Sequence, residues 1–258
     1  MAKSLTLVFR HYREDLYSSR SRDPNKKRPK WFSNELCFKS LAKSILESNY
    51  SIDCQVLIWY DGTEEDLNTD PVIAIASELA KETKVSLLRK DYSHSGNNAG
   101  ESLSWGEMAT YTLQQFNTDI IYFVENDYIH RTHAVDGLFE IFNSSEQISY
   151  LSLADHLDYY HLPIHEKRMT SLRYSRNYVY REVFTTTGTF AVRYNVFLED
   201  LPVFLDAKAD FRAFTHLTGI KGRILVAPLP ALAGHCMTNL LPPAVNWDSV
   251  AELVGSSN

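Results

Sequence analysis

The chain predicts an α/β fold built on one mainly parallel sheet flanked by helices. Three observations lead there. Short apolar runs of strand type alternate with amphipathic segments through the first half, the pattern of successive βα units. Helix-start signals, Ser33-Asn34 and Asp70-Pro71, fall where those units need them. The run Ile120-Ile121-Tyr122-Phe123-Val124 is apolar throughout, as a strand covered on both faces must be, and passes directly into Glu125-Asn126-Asp127.

Each element follows in order. Leu5–Arg10 reads as the first strand. Ser33 or Asn34 then caps a helix that turns Leu36, Leu41, Ile45 and Leu46 towards the core. Gln55–Tyr60 is the second strand and stops at the turn dipeptide Asp61-Gly62. Pro71 opens a helix with Val72, Ile75, Ala76 and Leu79 on one side, and Val85–Leu88 makes a third strand. Tyr92–Gly100, rich in Gly, Asn and Ser, is expected to be a loop that approaches a ligand, followed by a helix through Gln115. Beyond Asp127, a helix around Val135–Phe142 leads to the strand Ile148–Ala154. Asp155 to Arg181 carries Tyr159, Tyr160, Tyr174 and Tyr178 among several charges and shows no period, so it is expected to be an irregular, substrate-facing excursion. Val183–Val192 reads as a strand interrupted at Gly188, Asp206–Leu217 as a helix ended by Gly219, and Arg223–Ala227 as the last strand.

Composition narrows the class. A chain of 258 residues with 44% hydrophobic and 22% charged residues can bury a full core. It has no 18-residue apolar run, so no membrane insertion is expected. Met1-Ala2-Lys3-Ser4 leads straight into the first strand without a signal-peptide pattern, and a cytoplasmic location is expected. Cys37, Cys54 and Cys236 have no CxxC spacing, which argues against a disulfide framework or a zinc ribbon. A net charge of −6 argues against indiscriminate nucleic-acid binding. The local exception is Arg20, Arg22, Lys26, Lys27, Arg28 and Lys30, either a solvated loop or a clamp for a polyanionic substrate.

Strand alternation points Glu125 and Asp127 the same way, at the end where an open α/β sheet keeps its ligands. Two carboxylates there suit a hard divalent cation that leaves coordination sites for substrate phosphates. The order of features resembles the GT-A glycosyltransferases, most closely the family-2-like transferases that use nucleotide-diphosphate sugars. The resemblance is carried by Asp61 in Trp59-Tyr60-Asp61-Gly62-Thr63, by Gly96-Asn97-Asn98-Ala99-Gly100, by Glu125-Asn126-Asp127 at the Asp-x-Asp metal signature, by Gly188-Thr189-Phe190, by Asp206 or Asp210 before Gly219, and by His235. It covers roughly residues 5–240, with two departures: Glu replaces the first Asp of the metal signature, and no Glu-Asp pair precedes Gly219.

That resemblance implies a single GT-A (Rossmann-like) domain over 1–258, with a nucleotide-binding half at about 1–130 and an acceptor-side half at about 131–240. It implies a UDP-sugar donor held by Arg10, Asp61, Asn97, Asn98 and Glu125. Mn²⁺ or Mg²⁺ would sit on Asp127, Glu125 and His235, the histidine favouring Mn²⁺. Asp210 is the first candidate for the base that accepts the acceptor hydroxyl's proton, and Asp206 the second; the one-turn spacing sets both on one side of a helix. A single displacement would invert the anomeric centre. The acceptor is expected to be a glycan, or a hydroxymethylated DNA base with the basic run gripping phosphates. Two other readings stand beside it: a non-catalytic nucleotide- or sugar-binding module that lost its base, and a nucleotidyltransferase. The second would carry a glycine-rich phosphate loop where this chain has Arg10-His11-Tyr12-Arg13.

Overall fold

In the computed structural model the described residues are 2–12, 27–92, 97–161, 165, 170–207 and 209–256, with backbone alone over 97–102. The chain opens with β1 (Ser4–His11), followed by α1 (Asn34–Leu46), where Ser33 accepts a hydrogen bond from the Leu36 amide and acts as the cap. Then come β2 (Asp53–Asp61) and the single-turn α2 (Glu64–Asn68), started by a Thr63–Asp66 capping box. Next are α3 (Pro71–Leu79), capped by Asp70, and β3 (Lys84–Lys90). α4 (Asn97–Gln115), β4 (Ile120–Glu125), β5 (Tyr128–His130), α5 (Ala134–Ser144) and β6 (Ile148–Leu151) follow. The remainder is α6 (Asp158–His161), β7 (Leu172–Tyr174), β8 (Val179–Val183), β9 (Phe190–Arg193), α7 (Tyr194–Ala207), α8 (Asp210–Gly219), β10 (Ile224–Leu229), β11 (Ala233–His235) and α9 (Trp247–Gly255).

The main sheet has the order β3-β2-β1-β4-β9-β6-β10-β8-β7, and β11 pairs with β5 in a separate ribbon. β1 pairs in parallel with both β2 and β4, and β6 with β10; β9 and β8 run against the rest. The chain therefore winds outward from β1 to β2 and β3, then returns to add β4 on the other side. That reversal makes the carboxyl ends of β1 and β4 a topological switch point, where the helices diverge and leave a crevice.

Strand alternation divides the core between two faces. Leu5, Leu7 and Phe9 of β1, with Ile120, Tyr122 and Val124 of β4, pack against α1, α3 and α5 through Phe38, Leu41, Val72 and Phe139. Val8, Ile121 and Phe123 point the other way, onto Met108 of α4, Phe197 and Phe204 of α7, and Phe214 and Leu217 of α8. Continuing the second set by two residues brings Arg10 and Glu125 to the face that carries α7 and α8. These two residues are register partners in the β1–β4 pair.

Four expectations need correction. Val183–Val192 is not one strand: β8 ends at Val183 and pairs with β10, and β9 begins at Phe190 and pairs with β4. Asp206 and Asp210 do not share a helix: α7 ends at Ala207, Ala209 is extended, and α8 begins at Asp210. The physical reason lies in the aromatic cluster, where Phe204 and Phe214 meet at 5.5 Å between ring centroids. Ten residues along one straight helix would hold them about 15 Å apart. The stretch Tyr92–Gly100 is not loop throughout, because α4 starts at Asn97. The excursion from Asp155 to Arg181 contains α6 and β7, and β8 starts within it; β7 and β8 extend the sheet by antiparallel pairing beyond β10.

Phe190, fully buried, is the hub of the α7/α8 side. Its ring lies 5.1–5.8 Å from those of Phe123, Tyr150, Phe204 and Phe214. Phe190→Ala is expected to lower unfolding free energy by about 3–5 kcal/mol, read as a reduced urea midpoint with unchanged slope. A loss under about 1 kcal/mol would show that this cluster does not hold α8 to the sheet.

Candidate active site

Of the predicted residues, Arg10, Glu125, Asp127, Asp210 and His235 converge on one cavity of about 230 Å³ at the switch point, which Tyr12, Asn126 and Thr187 also line. A larger cavity of about 450 Å³ lies over β8 and β10, where Arg181 and Arg223 are already engaged by Asp155 and Asp200. The smaller one is the candidate site because it alone of the two sits at the carboxyl ends of β1 and β4.

The turn after β4 is tied down from several sides. The Asn126 side-chain amide donates to the Tyr12 carbonyl (2.7 Å) and lies 3.4 Å from His11 Nδ1. The Asn126 carbonyl accepts from the Asn34 side chain (3.0 Å), and the Asp127 carbonyl accepts from the Cys236 amide (2.8 Å). The Glu125 amide donates to Thr189 Oγ1 (3.0 Å). Behind this turn, His11 Nε2 lies 2.9 Å from Asp70 Oδ2, which also accepts from the Tyr60 hydroxyl (3.1 Å). Asp70 is at once the cap of α3 and the anchor of His11, so helix placement and turn geometry share one carboxylate. On the other side, Gly188 leaves room for Glu125: a Cβ there would lie 3.1 Å from Glu125 Oε1.

The charges explain one another. Asp127 Oδ2 lies 2.9 Å from Arg28 Nη1 and 3.1 Å from His235 Nε2, while Glu125 Oε1 lies 3.7 Å from Arg10 Nη1. Burial pushes the Asp127 carboxyl up, yet His235 and Arg28 outweigh it and hold it well below the usual carboxylate range. Burial lowers His235 in turn, and Asp127 more than compensates, so the imidazole is raised above its ordinary value. Glu125 is pushed up to about 7, first by burial and then by the Asp127 charge, against the pull of Arg10. The His235 ring stacks on Tyr128 at 4.8 Å and 11°, and the Tyr128 hydroxyl is bonded to Thr187 Oγ1 (2.7 Å), which fixes the imidazole plane.

Other predicted residues fall outside the cavity. Asp61 ends β2, and its carboxylate accepts from the Tyr92 amide (3.1 Å), two strands from Glu125. Asp206 is exposed on α7 and does not line the cavity. Asn97 and Asn98 open α4, with side chains outside the described residues. Arg20, Arg22 and Lys26 also lie outside them. Sequence reasoning missed Tyr12, Asn126 and Thr187, and gave Arg28 only as part of a charge run; its place on Asp127 depends on a contact 99 residues away in the chain (127 minus 28), which no local pattern reveals.

A divalent cation fits this donor set on restricted terms. Among the described residues no group of three His, Cys, Asp or Glu side chains could hold a metal ion. Asp127 and His235 would hold it; in the structure they meet each other directly, Oδ2 to Nε2 at 3.1 Å, as a hydrogen-bonded pair. Mg²⁺ is commonly held by one or two carboxylates, with water and phosphate oxygens completing its shell. Both carboxylates named for the cation are paired with an arginine, Glu125 with Arg10 and Asp127 with Arg28, so a cation must compete with a guanidinium.

The sheet order and its flanking helices make a GT-A-like, Rossmann-type α/β fold, and solved structures share it. Staphylococcus aureus TarS superposes with a TM-score of 0.50 at 13% identity, over 87% of this chain and 35% of TarS. The inositol-1-phosphate CTP transferase from T. maritima superposes with a TM-score of 0.51 at 10% identity, over 100% of this chain and 98% of that one. TarS 1–349 has been solved with UDP, and this chain spans 57% of that fragment. No protein-family model and no curated protein matches the sequence. No helix among the described residues is long and apolar enough to cross a membrane.

The raised Glu125 gives a stability test. Its ordinary value is 4.5, so between pH 4.5 and about 7 the folded chain holds a proton that the unfolded chain has lost, and stability falls as pH rises through that window. Glu125→Gln removes the penalty. The variant's Tm is expected to exceed wild type by a few degrees at pH 8, with the gap narrowing at pH 5; a gap independent of pH would show that Glu125 is not held against its charge.

Proposed function

We propose that the protein transfers a sugar from a nucleotide-diphosphate donor, a UDP-sugar, to a hydroxyl acceptor. The observation that carries this reading is the convergence of Arg10, Glu125, Asp127, Asp210 and His235 on one cavity at the β1/β4 switch point. Asp61 lies two strand spacings from Glu125, roughly 10 Å, which suits a nucleoside at β2 and its diphosphate at β4. Arg10, beside Glu125, supplies a guanidinium to the diphosphate oxygens. Asp127 and His235 would hold Mn²⁺ or Mg²⁺, which when bound neutralises charge on the departing nucleoside diphosphate. Asp210, at the amino end of α8 on the cavity wall, takes the base role. The acceptor oxygen attacks the anomeric carbon, its proton passes to Asp210, and the bond to the diphosphate breaks with the electron pair leaving on UDP. One displacement inverts the anomeric centre. The acceptor class we favour is a soluble glycan.

A panel of UDP-sugars with Mn²⁺ tests this reading. Thermal stabilisation by a subset of donors and slow release of UDP are expected, and Asp127→Ala should lower that release by about 10²-fold. Full activity in Asp127→Ala, or no donor that binds or is cleaved, overturns it. Conversion of CTP and a phosphorylated sugar or polyol to pyrophosphate would replace it with nucleotidyl transfer. Once an acceptor is found, Asp210→Asn should lower turnover about 10²–10⁴-fold while donor binding changes little. Asp206→Asn should behave as wild type; the reverse order would move the base to α7.

A further inference from the structure

We propose that Arg28 and a divalent cation are alternatives on Asp127, and that Arg28 grips the diphosphate when the cation takes its place, so that divalent metal and nucleotide bind cooperatively. This rests on the nucleotide-sugar reading of the same cavity. In the structure Arg28 Nη1 lies 2.9 Å from Asp127 Oδ2, the same oxygen that His235 Nε2 approaches at 3.1 Å. A metal bridging Asp127 and His235 needs that oxygen, and Arg28 stands on it. The guanidinium and the ion are therefore alternatives at one acceptor.

The backbone around Arg28 is fixed, which makes the side chain the moving part. The Lys27 carbonyl accepts from the Thr238 amide (2.7 Å) and hydroxyl (3.0 Å), just beyond β11. Trp31 Nε1 donates to Asp248 Oδ1 of α9 (2.6 Å). The guanidinium itself lies over the Phe32 ring at 4.5 Å and donates to the Cys236 carbonyl at 2.9 Å. Rotation about the side-chain bonds, over an aromatic face that tolerates sliding, carries the fork from a carboxylate to a phosphate without unfolding the segment. Arginine's planar fork grips a diphosphate in two-point fashion, and its charge repels a metal only while it remains on Asp127. A nucleotide that draws Arg28 away thus frees the metal position, and by linkage the metal favours the nucleotide to the same degree.

Isothermal titration with Mn²⁺ alone, with UDP alone and with both together tests this in wild type, Arg28→Ala and Arg28→Lys. Wild type is expected to bind Mn²⁺ at least about fivefold more tightly when UDP is present. Arg28→Ala should bind Mn²⁺ alone at least about fivefold more tightly than wild type, bind UDP alone more weakly, and lose most of the coupling. Arg28→Lys, which keeps the charge without the fork and guards against a folding defect in the alanine variant, should still block Mn²⁺ and still lose UDP affinity. Unchanged Mn²⁺ affinity in Arg28→Ala together with intact coupling overturns the proposal while leaving the transferase reading in place. Absence of UDP and Mn²⁺ binding in every form overturns both.

Discussion

The parallel pairing of β1 with β4 is the constraint on which the rest depends. It sets Arg10 opposite Glu125 in register, and alternation sends both side chains to the α7/α8 face. Because β2 and β3 lie on one side of β1 and β4 on the other, the crevice opens above those two residues. A slip of one residue in that register would turn Arg10 and Glu125 towards opposite faces and bury the wrong set of apolar side chains. The apolar runs Leu5–Phe9 and Ile120–Val124 therefore do more than fill the core: their burial on both faces locks the register that builds the site.

The site concentrates charge and then balances it. Glu125, Asp127 and Asp210 share the cavity wall with Arg10 and His235, while Arg28 reaches in to Asp127. Two carboxylates separated by one residue cannot both be comfortable without cations, and the opposite displacements of Glu125 and Asp127 express that. The carboxylate nearer the cations takes the charge and the other yields it. Such an arrangement is strained in electrostatic terms and suited to a ligand that carries its own charges. The low intrinsic comfort of Glu125 is a cost that folding tolerates elsewhere, in clusters such as Phe190 with Phe204 and Phe214.

Much of this was legible from residue patterns. Strands β1 to β4, β6 and β10, the Ser33 and Asp70 caps, and the gathering of Arg10, Glu125, Asp127, Asp210 and His235 round one cavity follow from apolar runs, caps and an ordered resemblance. What escaped was tertiary in origin. α7 was overlooked because Pro202 falls inside it and proline ordinarily ends a helix, although Val196, Phe197 and Phe204 supply its buried face. The break before Asp210 is dictated by where Phe204 and Phe214 must meet, a demand that no window of sequence carries. His130 and His156 are buried, and burial pushes both down to about 3; the His130 ring is bonded to the Tyr122 hydroxyl.

The carboxyl-terminal segment is part of the site's support even though it contributes no side chain of the expected chemistry beyond His235. Cys236 donates its amide to the Asp127 carbonyl, offers its own carbonyl to Arg28, and packs its sulfur 3.7 Å from Cys37 of α1. Burial pushes the Cys37 thiol well above its usual value, and both sulfurs pack as apolar filling between α1 and the β5–β11 ribbon. Gly234 lets the Trp247 ring of α9 approach to 3.0 Å of where a Cβ would stand, and the Trp247 indole donates to the Pro242 carbonyl. α9 thereby presses the ribbon against α1, the ribbon sets His235 and Cys236, and those two residues orient Asp127 and Arg28. The geometry around Asp127 is consequently inherited from packing at the far end of the chain, so truncation before Trp247 would loosen the Arg28–Asp127 and His235–Asp127 contacts before it disturbed the sheet.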